Sequence, residues 1–187
     1  IFMEKAIGLV ETISIAGGIE AADAMVKKAP VRLFLARPIC PGKFIVLVGG
    51  DVEAVKSSLK VGREIAEYYL ADSILISHVH CDVFSALEAT VVIDDIGALR
   101  ALGVIETFSV ASCILAADAA VKAGGVKLVE IRPAMGLGGK SYVTMLGDVS
   151  AVESAVDAGR QKTEPEGMLV KSVVIPSVAN DVLKALL

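Results

Sequence analysis

Apolar and polar positions along this chain change rhythm in a repeating order. AIGLVET (6–12) reads as a strand, and SIAGGIEAADAMVKKA (14–29) is Ala-rich at helical spacing, with Ser14 a candidate N-cap. VRLFLARPI (31–39) and KFIVLVGG (43–50) are β-rich runs around a Pro/Gly turn, which predicts a hairpin. Asp51 is placed to cap a second helix over 52–70, whose apolar positions are 52, 55, 59 and 65–66, with Gly62 filling the gap. SILISHV (73–79) predicts a fourth strand and DVFSALEA (82–89) a short closing helix. The order β-α-β-β-α-β-α is ferredoxin-like. It predicts an α+β fold, a four-stranded antiparallel sheet covered by helices.

The same order is then written again. Residues 101–128 match 6–33 at an offset of 95: Gly8 with Gly103, Glu11 with Glu106, Ser14 with Ser109, and AAD at 21–23 with AAD at 116–118. Past the hairpin turn the offset is 97, with Lys43 on Lys140, and near the end it is 99, with Ser73 on Ser172. Both changes are two-residue insertions in loops, where insertions are best tolerated. Two copies are a duplication, not the short-period array of a solenoid. We therefore expect two domains, 1–94 and 95–187, joined through ATVVIDDIGALR (89–100).

Composition narrows the setting. The chain has 187 residues and is 55% hydrophobic but only 4% aromatic, so its apolar mass is small and aliphatic. The mean hydropathy of +0.69 is high, yet no run approaches the roughly 18 apolar residues of a membrane span. Asp118 interrupts the most apolar run, VASCILAADAAV. The residues at the start lack the basic flank and cleavage pattern of a signal peptide. A cytoplasmic protein that hides apolar surface by oligomerising is expected, and a membrane partner is not. The net charge of −4, dispersed Lys and Arg and few aromatics argue against nucleic acid.

Several residues invite a chemical reading. AMGLGGKS (134–141) fits a permissive phosphate-loop pattern, but YVTMLGD follows its lysine, and a phosphate loop opens a helix there. Its glycines fit a tight backbone turn better. His78, His80 and Cys81 in SHVHCD resemble metal ligands, but a closed zinc site takes four, and copy two reads PSVAND there. Surface polar residues are the favoured reading. Cys113 is expected to be a small buried hydrophobe and Cys81 structural. Lys27 and Lys122 follow the AAD segments at equivalent places, where a lysine complements a helix C-terminus. No convergent acid, base and nucleophile set emerges, so no enzyme is expected.

AIGLVET, AADAMVK, GKFIVLVGGDVEAV and GREIAE resemble the signature stretches of bacterial microcompartment shell proteins, and the resemblance covers both halves. It implies a tandem-domain member whose homotrimer mimics a hexagonal tile of the compartment shell, a cytoplasmic organelle, beside other shell proteins. It also implies that the hairpin turns gather at the central axis. The pore-lining residues are then Pro38, Ile39, Cys40, Pro41, Gly42, Met135, Gly136, Leu137, Gly138 and Gly139, and Lys27 and Lys122 lie at the tile edge.

In tandem members with this pair of turns the residue matching Cys40 is a cluster ligand. One cysteine per chain becomes three thiolates facing one point, and three thiolates need a cation between them. An iron–sulfur cluster, [4Fe–4S], one per trimer, supplies it. Met135 at the matching place of copy two keeps the site three-fold. The function so implied is electron transfer across the shell, with an encapsulated redox enzyme as partner. The rival is a metal-free tile whose pore passes small metabolites.

Overall fold

The computed structural model describes residues 5–92 and 101–186. The expected boundary between 94 and 95, and most of the joining segment, lie outside them. The described residues fall into two compact units. One runs to Cys81 and includes Met135–Gly139, and the other holds Asp82–Ala134 and the residues from Lys140 on.

In the first copy the order is β1 (Ala6–Thr12), α1 (Ile15–Lys28), β2 (Arg32–Ile39), β3 (Lys43–Gly50), α2 (Val52–Ala66), β4 (Leu70–Ser77) and α3 (Cys81–Leu87). The second repeats it as β5 (Ala101–Thr107), α4 (Val110–Ala123), β6 (Lys127–Arg132), β7 (Ser141–Gly147), α5 (Val149–Thr163), β8 (Leu169–Ile175) and α6 (Asn180–Leu186). Each copy forms one antiparallel four-stranded sheet, ordered β2-β3-β1-β4 and β6-β7-β5-β8. The expected α+β architecture with flanking helices is what the chain adopts.

The central strands explain the apolar pattern. β1 is buried along its whole length between β3 and β4. Ala21, Ala22 and Met25 of α1 and Val55 and Leu59 of α2 pack with Val46 and Val48 of β3 in one core. In the second copy Leu102, Leu146 and Leu183 form a cluster of their own. Small residues let the helices come close. A Cβ on Gly62 would lie 2.5 Å from Met25 Sδ, so α2 meets α1 through a glycine, and a larger residue there would force the Met25 side chain to move.

Two local expectations need correction. The second helix ends at Ala66, not at 70. A tight 3-10 turn (Glu67–Tyr69) follows, and β4 starts at Leu70, three residues before Ser73. The backbone explains it: the Tyr69 carbonyl accepts from Ile13 N–H at 2.8 Å, which draws the chain into the sheet early. Ser14 and Ser109 do cap, accepting from Gly17 and Ser112 N–H at 3.1 Å. Asp51 and its equivalent Asp148 hold the N-cap place without a side-chain cap bond. Their charge still suits a helix N-terminus.

Both edge strands that start the hairpins carry the same irregularity. Leu33 pairs with Val48 and Leu35 with Leu47, leaving Phe34 as an extra residue in β2; Val129 is the extra residue between Leu128 and Glu130 in β6. The Arg32 guanidinium lies over the Phe34 ring at 4.4 Å.

Candidate functional site

The turn between β2 and β3 carries the cysteine singled out from the sequence. β2 ends in Pro38 and the buried Ile39, Cys40 follows half-buried, and Pro41 and Gly42 are exposed. Gly42 has φ +77°, a left-handed position where a side chain is strained, so a glycine closes the turn there. The segment Met135–Gly139 packs in the same unit as this turn. Gly136, Gly138 and Gly139 all have left-handed φ, at +73°, +62° and +91°. A Cβ on Gly139 would meet Pro41 Cδ at 3.2 Å and the Cys40 carbonyl oxygen at 3.4 Å. Arg37 Nη1 reaches Met135 Sδ at 3.5 Å. Met135 and Gly138 are exposed and Leu137 is half-buried. No helix opens after Lys140: β7 begins at Ser141, so the phosphate-loop geometry is absent, as the following strand pattern implied.

The base of each turn is pinned by the same ion pair. Lys43 Nζ meets Glu11 Oε1 at 2.6 Å, and Lys140 Nζ meets Glu106 Oε1 at 2.6 Å. Glu11 is almost fully buried. A buried carboxylate needs such a partner, since an unpaired one costs several kcal/mol, roughly. The strand residues above the pins differ. In copy two Arg132 binds Glu130 at 2.6 Å, and Tyr142 Oη donates to Glu130 Oε2 at 3.1 Å. Burial and the Glu130 carboxylate push the Tyr142 phenol up. Burial alone would lower Arg132, but Glu130 and Tyr142 outweigh it and hold the guanidinium above its ordinary range. Leu35 and Ile45 replace Glu130 and Tyr142 in copy one.

The three cysteines have distinct environments. Cys113 is fully buried on α4, and burial pushes its thiol up to about 12 despite a hydrogen bond with Thr107. It stays protonated at neutral pH, and its full burial keeps it from a ligand site shared between chains. Its repeat partner Gly18 shows why a small residue belongs there. A Cβ on Gly18 would sit 2.6 Å from Phe44 Cβ and Cδ1, whereas copy two has Ser141 in place of Phe44. Cys81 is exposed at the start of α3. His80, Cys81 and Asp82 bring one donor atom each within 4.8 Å of one another, and His78 is not among them. His78 has a left-handed φ of +56°, which ends β4 and redirects the chain. Three donors fall short of a closed four-ligand zinc site.

The expected edge lysines are placed alike. Lys27 and Lys122 stand in the last turns of α1 and α4, with Nζ 2.6 Å from Asp23 and Asp118 respectively. Lys122 also lines a shallow groove of about 420 Å³ with Ala119, Ala123, Ala158, Gln161 and Lys162.

A duplicated domain, each copy with four antiparallel strands and a pinned hairpin turn, defines a protein class. The BMC domain family model matches residues 6–79 and 101–178, so the chain belongs to that family and carries its domain twice. It is similar to the bacterial microcompartment shell protein PduT of Citrobacter freundii, at 44% identity over 93% of both chains. The shell protein PduA of the same organism matches 34% of this chain and 68% of its own length at 46% identity. The crystal structure of a microcompartment protein from Desulfitobacterium hafniense DCB superposes with a TM-score of 0.91 at 51% identity, covering 97% of this chain and 99% of that one. The chain is a microcompartment shell protein of the tandem-domain type.

Proposed function

We propose that three copies of this chain close into a ring with the Cys40 turns at its axis, and that their thiolates hold one [4Fe–4S] cluster that serves electron transfer across the shell. One observation carries the ring. Ile15 and Ile19 of α1 are 45% and 55% exposed, while their repeat equivalents Val110 and Ile114 on α4 are fully buried. Val26 is likewise exposed where Val121 is buried. A helix face built for burial therefore stands bare on one copy only. A second copy of the chain is the natural cover, and head-to-tail contacts of this kind close into cyclic assemblies.

The donor set fits a cluster. Each chain offers one half-buried thiol on a turn held by Pro38, Pro41 and Gly42, and Cys113 is excluded by its burial. Three Cys40 thiolates would ligate three irons, leaving the fourth to an external ligand. A bound cluster supplies one-electron redox chemistry. The chain's own residues hold the turn rigid, keep the neighbouring loop free of thiolate through Met135, and give that loop the glycines it needs to lie against Pro41. In this assembly Lys27 and Lys122 lie at the tile edge, facing other shell proteins.

The test is anaerobic reconstitution of the full chain with iron and sulfide. Wild type is expected to be a trimer holding about four irons per three chains. Cys40→Ser should lose the iron and the visible absorbance and remain a trimer, while Cys81→Ser keeps both. Ile15→Asp with Ile19→Asp should sediment as a folded monomer. Wild type without iron would point instead to a metal-free tile passing small metabolites, and a stable wild-type monomer at micromolar concentration would overturn the ring.

A further inference from the structure

We propose that Arg37 is left without a carboxylate partner so that its positive charge acts on the Cys40 site and raises the potential of a cluster bound there. This rests on the cluster proposed above. It is drawn from a difference between the two copies that the fold itself does not require.

Arg37 and Arg132 occupy the same place in the repeat, three residues before Cys40 and Met135 respectively. Arg132 is neutralised by Glu130 at 2.6 Å, with Tyr142 donating to the same carboxylate. In copy one these positions are Leu35 and Ile45, neither of which can accept or donate. Among the described residues Arg37 has no carboxylate within ion-pair distance, and its guanidinium hydrogen-bonds the sulfur of Met135, a neutral acceptor. The lysine at the base of each turn does not make this distinction, because Lys43 and Lys140 are paired to Glu11 and Glu106 in the same way. Of the two matching arginines, the one on the strand that enters the cysteine turn, three residues before Cys40, is therefore left unneutralised. On the strand that enters the methionine turn, the matching cation is cancelled.

The contacts also link that side chain to the loop beside the cysteine turn. Arg37 holds Met135, and the segment from Met135 to Gly139 lies against the Cys40–Pro41 turn through Gly139. The guanidinium is thus tied to a loop that touches the cysteine's own backbone. Reduction of a thiolate-bound cluster adds one negative charge, and a nearby cation stabilises the reduced form more than the oxidised one. Arg37 acts here as a positioning and electrostatic residue, not as a ligand. Because Arg37 is exposed, its influence should weaken as salt screens it.

The experiment uses full-chain trimers reconstituted anaerobically, with iron counted per trimer and the midpoint potential read by titration followed by EPR. Arg37→Gln should keep the trimer and the wild-type iron content. Its potential should fall by the equivalent of at least tenfold in the reduction equilibrium, about 59 mV for a one-electron couple. Arg37→Lys, which keeps the charge, should return most of that shift, and the gap between wild type and Arg37→Gln should narrow at high salt. An Arg37→Gln protein with full iron and the wild-type potential overturns the inference and leaves the cluster standing. If Arg37→Gln loses iron, recovery of iron in Arg37→Lys supports the charge, and failure of both variants to hold iron overturns it. Wild type that takes up no iron removes the cluster, and this inference with it.

Discussion

Replacing Gly18 by alanine tests the packing logic of the repeat most directly. Gly18 lies on α1 against the ring of Phe44, and an added Cβ would approach Phe44 Cβ, Cδ1 and Cγ at 2.6, 2.6 and 2.7 Å. Those distances are far inside van der Waals contact, and the ring is held in the core with Val46 and Val48, so it cannot swing away freely. Overpacking of this kind costs about 1–3 kcal/mol, and the rigid aromatic neighbour argues for the upper end. Replacing glycine inside a helix returns about 1 kcal/mol in backbone entropy. The net loss is therefore about 2 kcal/mol. For a chain of this length that lowers the melting temperature by about 4–8 °C. Calorimetry at fixed chain concentration reads it, since assembly makes melting concentration-dependent. Phe44→Leu should relieve the clash, so Gly18→Ala with Phe44→Leu should be more stable than the sum of the single losses predicts, with a coupling of about 1 kcal/mol or more. Cys113→Ala, at the matching place opposite Ser141, should cost less than Gly18→Ala. If Gly18→Ala melts at or above the wild-type temperature, the close approach of α1 to β3 is not what fixes glycine there.

Three further outcomes follow from named residues. The Cys113 thiol is raised from an ordinary 9.0 to about 12, so the folded protein keeps a proton that the unfolded chain releases. Stability should therefore be intact below pH 9 and decline from there toward about 12, and Cys113→Ala should flatten that decline in chemical denaturation curves. In a Cys40→Ser, Cys81→Ser background, Cys113 should resist thiol reagents at pH 8 until denaturant is added; rapid labelling of the folded protein would refute its burial. Lys27→Asp with Lys122→Asp should leave trimers intact but prevent sheet formation seen by electron microscopy, and normal sheets would remove both residues from the tile edge.

Much of this was readable in the sequence because the chain states its fold twice. The duplicated AAD, Glu and Gly positions, the Pro/Gly turns and the serine caps predict each element within a few residues, and both copies adopt them. The early start of β4 was not legible, because it depends on the Tyr69 carbonyl meeting Ile13 across the sheet, a partner that local pattern does not specify. The exchange of Gly18 and Phe44 for Cys113 and Ser141 is visible as letters, but its complementarity needs the distance between α1 and β3. Likewise SHVHCD shows three ligand types in a row, and only the folded geometry shows that His80, and not His78, brings its donor near those of Cys81 and Asp82. The unpaired Arg37 could have been found by aligning the copies and asking what became of Glu130.

The extra residues Phe34 and Val129 in the two outer hairpin strands have a consequence for life in a crowded layer. An outer strand with evenly spaced N–H and C=O groups invites any other chain to add itself by main-chain bonding, and such additions are hard to undo. The bulge breaks that spacing, and Arg32 stacked on Phe34 sets a charge on the strand beside the break. Neighbours are then left to meet through side chains, whose contacts can be given up a few at a time. A strand interrupted this way is a poor template for the open-ended main-chain addition that builds fibres.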